Sequence, residues 1–153
     1  MNTINEIQKL IDEKNPISAE EKHQYGKRLV SGYNSSQFVS ELFKWYIGGI
    51  LYRIVTLGLH NYVYGKSLSK NAFCDELGIA PSTAQTLIKR WEFYVVKNKI
   101  PLDKLKNAST YNLGRALAYL KDKDKDEVKR IVDLAERGKL SRIDFLLEIN
   151  EIK

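Results

Sequence analysis

The chain has 153 residues, 43% of them hydrophobic and 29% charged, with a formal net charge of +6. This composition supports one folded domain, or a compact core with a helical arm, and excludes global disorder. The positive balance favours a polyanionic partner; the lone Cys74 excludes an intrachain disulfide, and no Cys–His cluster has metal-ligand spacing.

Ile4, Ile7, Leu10 and Ile11 share one helical face, and Asn15-Pro16 ends that segment. Met1 to Lys14 is amphipathic and acidic, unlike a signal peptide. Ser18 with Glu21 reads as a capping box opening a second, polar helix that ends near Gly32, with Ser31 to Ser36 as a loop. A long apolar helix is predicted from Gln37 to Leu57, offering Phe38, Leu42, Trp45, Ile50 and Ile54 for burial, with Gly58 as its stop. Gly48-Gly49 inside it costs helix stability, so either another helix approaches closely there or the helix kinks. The longest apolar stretch, Phe43 to Leu59, is broken by Lys44, Arg53 and glycines, so it is not a membrane span. A cytoplasmic, nucleoid-associated setting is expected.

His60 to Lys66 reads as an aromatic loop or short extended piece. Ser69 then caps a helix to Leu77, Gly78 turns the chain, and Pro81 starts a helix that Pro101 stops. Ser109 or Thr110 opens a helix through Leu120. The alternating run Lys121 to Asp126 caps the next helix, which ends at Gly138, and Ser141 with Asp144 opens a last one carrying Ile143, Leu146, Leu147 and Ile149. The fold class is therefore all-α: a multi-helix domain of six to eight helices with an N-terminal helical arm.

Residues 69–91 satisfy the needs of two short helices meeting at a steep angle. Gly78 accepts the positive φ of the turn. Phe73 and Leu77 lie one turn apart on the first helix, Cys74 is small enough for the crossing, and Ile79 plugs the turn into the core. Ala84, Leu87 and Ile88 return the second helix to that core. The same register predicts a helix-turn-helix whose outer face carries Ser82, Thr83, Gln85, Thr86, Lys89 and Arg90. Gln pairs bidentately with adenine, Ser and Thr reach bases or phosphates, and Lys and Arg neutralise phosphate. Gln85, Thr86 and Lys89 are assigned to base edges; Ser82, Thr83 and Arg90 are assigned to the backbone. The basic surplus is densest here: Lys70, Lys89, Arg90, Lys97, Lys99, Lys104 and Lys106 stand against Asp75, Glu76, Glu92 and Asp103.

Other features read as structural. Tyr25, Tyr33, Trp45, Tyr46, Tyr52, Tyr62 and Tyr64 suit core and rim positions, with a dimer contact as the functional exception. His23 and His60 read as surface residues, and Cys74 as buried and inert. Gly65-Lys66 lacks the context of a phosphate-binding loop. Arg137, Lys139 and Arg142 form a basic cluster near a helix junction.

At Phe73 to Arg90 the sequence resembles helix-turn-helix proteins of plasmids and phages, in particular the central DNA-binding region of the ParB/KorB partition class. The resemblance implies DNA binding, often as a dimer, with Tyr111 to Leu120 as a support helix and Leu140 to Ile149 as a closing one. The upstream Gly-Glu-Arg-Arg-type motif of that class has no counterpart in residues 1–66, so nucleotide-driven clamping is not expected.

The combined expectation is a non-enzymatic, sequence-specific binder of double-stranded DNA, a homodimer that uses no metal, membrane or small-molecule cofactor. It would serve as a regulator or a partition factor. Residues 1–66 would brace or dimerise, and residues 67–153 would form the DNA-binding domain. The rival is a protein-interaction adaptor that docks a partner on the aromatic, apolar segment 38–64, with the helix-turn-helix as scaffold only.

Overall fold

The structure, a computed structural model, describes residues 4–36, 41–105, 108 and 110–136. Eight α-helices are found among these residues: α1 (Ile4–Ile11), α2 (Ala19–Ser36), α3 (Glu41–Thr56), α4 (Lys70–Leu77), α5 (Pro81–Trp91), α6 (Leu102–Leu105), α7 (Thr110–Leu120) and α8 (Lys125–Glu136). A 3-10 turn, Leu59–Asn61, follows α3, and α5 runs on into a π-helical segment, Glu92–Lys97. No described residue lies in a strand, and no described helix is long and apolar enough to cross a membrane.

The central helix is α3. It buries Trp45, Tyr46, Ile50, Leu51 and Ile54 and touches α1, α2, α5, α6 and α7. Each such side chain withdrawn from water contributes about 1.5–3 kcal/mol before entropy is counted. Gly58 ends it as expected: its φ of 66° is left-handed, and its N–H donates to the Val55 carbonyl at 3.2 Å. Gly48 and Gly49 do not interrupt it. A Cβ on Gly48 would stand 2.6 Å from the Leu87 carbonyl oxygen, and one on Gly49 would stand 2.7 Å from the Trp91 ring. Of the two explanations open in the sequence, close approach is the one observed, and the approaching helix is α5.

The N-terminal helices wrap around α3. Ile7 and Ile11 of α1 are buried, and α2 adds the stripe Tyr25, Leu29 and Tyr33. The capping box forms: the Glu21 N–H donates to Ser18 Oγ at 3.0 Å, and Ser18 Oγ donates to Glu21 Oε1 at 3.1 Å. The expected stop near Gly32 is not observed. α2 continues to Ser36 because Gly32 and Tyr33 are buried, and packing outweighs the cost of a helical glycine. Arg53 of α3 ties down the α1–α2 loop, donating to Tyr25 Oη at 3.2 Å and Asn15 Oδ1 at 2.9 Å.

Both histidines prove to be struts rather than surface residues. Nδ1 of His23 meets the Tyr62 carbonyl at 2.8 Å, and Nδ1 of His60 meets the Leu68 carbonyl at 2.8 Å. A carbonyl only accepts, so each ring carries its proton on Nδ1. Together they pin both ends of the aromatic loop, which contains the 3-10 turn instead of an extended piece.

A further correction concerns the end of α5. Helical structure stops at Lys97, well short of Pro101, because Asn98 caps it. Its Nδ2 donates to the Phe93 carbonyl at 2.8 Å, and its own N–H donates to the same oxygen at 3.1 Å. Lys99 then takes a φ of 55°. Within the π segment Tyr94 is fully buried, and its hydroxyl donates to the Leu113 carbonyl of α7 at 2.6 Å. Burial pushes that hydroxyl far above its ordinary pKa. Tyr94→Phe is expected to cost about 1 kcal/mol by urea denaturation, since only the donor is lost and helix α7 still engages the carbonyl. A loss near zero would show that the bond contributes nothing.

α8 is capped as the charge run suggested, with the Glu127 N–H donating to Asp124 Oδ1 at 2.9 Å. Arg130, then the Tyr119 hydroxyl, hold the Glu127 carboxyl below its usual range. A single buried cluster extends from Ile7 to Val132, so the segments before and after residue 66 share a core. Phe38, the helix stop at Gly138, the helix expected after Ser141 and the cluster Arg137, Lys139 and Arg142 lie outside the described residues.

Candidate nucleic-acid interface

Local chemistry builds the unit made by α4, its turn and α5. Ser69 Oγ accepts from the Ala72 N–H at 3.1 Å, a cap that stabilises a helix by about 1 kcal/mol. At the other end Gly78 adopts φ 78°, ψ 28°. Its N–H donates to the Asp75 carbonyl at 3.1 Å, and the Ile79 N–H donates to the Cys74 carbonyl at 3.0 Å. These two bonds are the Schellman pattern, which satisfies carbonyls that the helix end leaves open. A Cβ on Gly78 would meet nothing within 4 Å, so glycine is required there by backbone conformation alone. Pro81 then occupies the first turn of α5, where its missing N–H costs little.

Phe73, Cys74 and Ala84 are buried, and Leu77, Ile79, Leu87 and Ile88 are partly buried against the same core. Burial also raises the Cys74 thiol pKa, which disfavours the reactive thiolate. α5 is held mainly by α3, through Leu87 and Trp91, and more lightly by α4 and α7.

The six residues assigned from sequence fall into two groups. Ser82, Thr83, Gln85, Thr86 and Lys89 are all exposed on one side of α5. The Thr86 hydroxyl donates to the Ser82 carbonyl at 2.9 Å, so its oxygen is presented outward as an acceptor. Arg90 is half-buried instead. Its guanidinium lies where a Cβ on Gly114 of α7 would sit, so Gly114 is the notch that receives it. A glycine inside the helical pattern 110–120 was the available hint of such an approach.

Two depressions flank the exposed face. On the α7 side, Ser82, Thr83, Thr86, Leu87 and Arg90 line a hollow of about 270 Å³. On the α4 side a groove of about 540 Å³ runs between α3, α4 and α5, with Leu51, Val55, Phe73 and Ile88 among its apolar walls and Lys70, Gln85, Lys89 and Glu92 among its polar ones. Glu92, which the sequence offered only as part of the local charge balance, puts a carboxylate in the same groove as Lys89.

Of the lysines counted in the basic surplus, two that follow α5 are engaged within the fold. Lys104 pairs with Asp133 of α8 at 2.6 Å, and Lys97 sits over the Phe93 ring, 5.6 Å from its centroid. Of the segment invoked for partner docking, 38–64, the side chains described from residue 44 onward place most of their aromatic and apolar groups against the core. Trp45, Tyr46, Ile50, Leu51, Ile54, Leu59 and Val63 are buried, whereas Tyr64 is exposed. Among the described residues no group of three or more His, Cys, Asp or Glu side chains converges to hold a metal. No family model, curated protein or solved structure matches the chain.

Proposed function

We propose that the chain binds double-stranded DNA sequence-specifically, with α4 and α5 acting as a helix-turn-helix and α5 entering the major groove. One observation carries this reading. Five polar residues stand exposed on one side of α5 while its opposite side is locked against α3. A helix fixed in this way presents its side chains at small entropic cost.

Gln85, Thr86 and Lys89 address base edges, and Ser82 and Thr83 address the backbone at the first turn of α5. Arg90, held at the α5–α7 boundary, belongs to the backbone contacts at the groove edge. A two-fold dimer would set two copies of α5 roughly 34–36 Å apart and select a palindrome. Such a protein fits a regulator or a plasmid-, phage- or chromosome-maintenance factor similar to the partition class.

Titration against mixed duplex DNA at two salt concentrations tests the reading, with affinity expected to fall steeply as salt rises. Absence of binding at low salt would overturn it. Once a preferred site has been selected from a random pool, Gln85→Ala is expected to weaken binding to that site by about 1–3 kcal/mol and relax preference at one base pair. Lys89→Ala is expected to do the same at a neighbouring pair. An equal loss on every sequence would reassign Lys89 to phosphate.

A further inference from the structure

Beyond α5, one exposed arginine has no carboxylate within ion-pair distance among the described residues. Arg115 of α7 donates from Nη1 to Tyr111 Oη at 3.1 Å, and its guanidinium lies over the Tyr111 ring, 5.8 Å from the centroid. Tyr111 is itself 43% exposed, one of the few large apolar side chains left in solvent. Three other arginines behave differently: Arg28 pairs with Glu13, Arg130 pairs with Glu127, and Arg53 is absorbed by the α1–α2 loop.

The place of this pair in the fold matters as much as its charge. Gly114 faces Arg90 of α5. At about 100° per residue, Tyr111 lies only about 60° round α7 from Gly114, on the outward side. The exposed side of α7 therefore adjoins the exposed side of α5 along Arg90, and Arg115 is drawn toward that edge by its bond to Tyr111.

We infer that Tyr111 and Arg115 form a backbone clamp that grips a phosphate flanking the groove entered by α5. This inference rests on the DNA-binding reading above and adds the contact that sequence reasoning did not assign. Stacking and the Tyr111 bond hold the guanidinium fork in one orientation, and its remaining N–H donors match a phosphate oxygen pair. The contact reads no base, so it strengthens binding to all duplexes alike.

The test compares the full chain with Arg115→Ala, Arg115→Lys and Tyr111→Phe on the selected duplex and on a random duplex across a salt series. For Arg115→Ala the plot of log affinity against log salt should become shallower by about 0.9, with equal weakening on both duplexes. Arg115→Lys should keep the wild-type slope, because the charge remains. Tyr111→Phe should weaken binding with the slope unchanged, since only the orienting hydroxyl is lost. Both side chains are exposed, so all three variants should melt like the wild type. If the wild type binds DNA with a steep salt dependence and Arg115→Ala matches it, the clamp is wrong and the reading of α5 stands. If the wild type binds neither duplex, the reading of α5 falls and the clamp falls with it.

Discussion

Trp91→Ala is expected to remove about 3–5 kcal/mol of folding stability, the range for emptying a buried aromatic site. Trp91 is 3% exposed at the end of α5, and its ring fills the space left by Gly49 of α3. Gly49, which faces the ring, has no side chain to extend into the vacated space. The cavity should therefore stay open and the cost should fall in the upper part of the range. Domains of this kind are stable by only about 5–15 kcal/mol, so much of the margin would be lost. Urea denaturation should show a lower midpoint with an unchanged slope. On the proposed DNA-binding reading, affinity for duplex should fall too, since α5 depends on α3 for its position. A loss under about 1 kcal/mol would mean that the ring does not fill the α3–α5 seam.

What the sequence made legible, and what it did not, follows the distance over which each feature is determined. Ser69 and Gly78 mark both ends of α4, and Pro81 marks the start of α5, to the residue, because caps and left-handed turns depend on groups a few positions away. The exposed set on α5 was legible for the same reason: it follows from helical period once the buried side is fixed by Ala84, Leu87 and Ile88. The errors arise where distant partners decide. α2 passes Gly32 because of where Tyr33 is buried. The π segment after Trp91 is held by a Tyr94 hydroxyl reaching Leu113, 19 residues away, beside a local cap from Asn98. His23 and His60 find carbonyls 39 and 8 residues away. Arg90 could be placed on the outer side of α5 by period, but its lodging against Gly114 depends on how α7 packs, and nothing local encodes that.

The glycine pair in α3 gives the second large effect. Two opposed terms set its sign. Alanine favours a helix over glycine by about 0.8–1.0 kcal/mol, so on propensity alone Gly48→Ala and Gly49→Ala would each stabilise α3. Against this, each added methyl enters occupied space, and overpacking typically costs about 1–3 kcal/mol. At Gly48 the obstacle is the Leu87 carbonyl oxygen at 2.6 Å, with its carbon at 3.2 Å. Backbone in mid-helix cannot rotate aside, so α5 as a whole must retreat from α3. At Gly49 the obstacle is the Trp91 ring, a side chain confined by burial on all sides. Neither obstacle can move aside, which puts each clash in the upper part of that range, about 2–3 kcal/mol, so the double variant Gly48→Ala/Gly49→Ala is expected to lose about 2–4 kcal/mol in total after the propensity gain is subtracted. The two sites separate in a double-mutant cycle with Trp91→Leu. The smaller side chain makes room beside Gly49, so Gly49→Ala should cost less in the Trp91→Leu background than in the wild type. Gly48→Ala should cost the same in both, because its clash is with the chain itself. Equal behaviour of the two positions would show that side-chain rearrangement, and not the spacing of the α3 and α5 backbones, governs this contact.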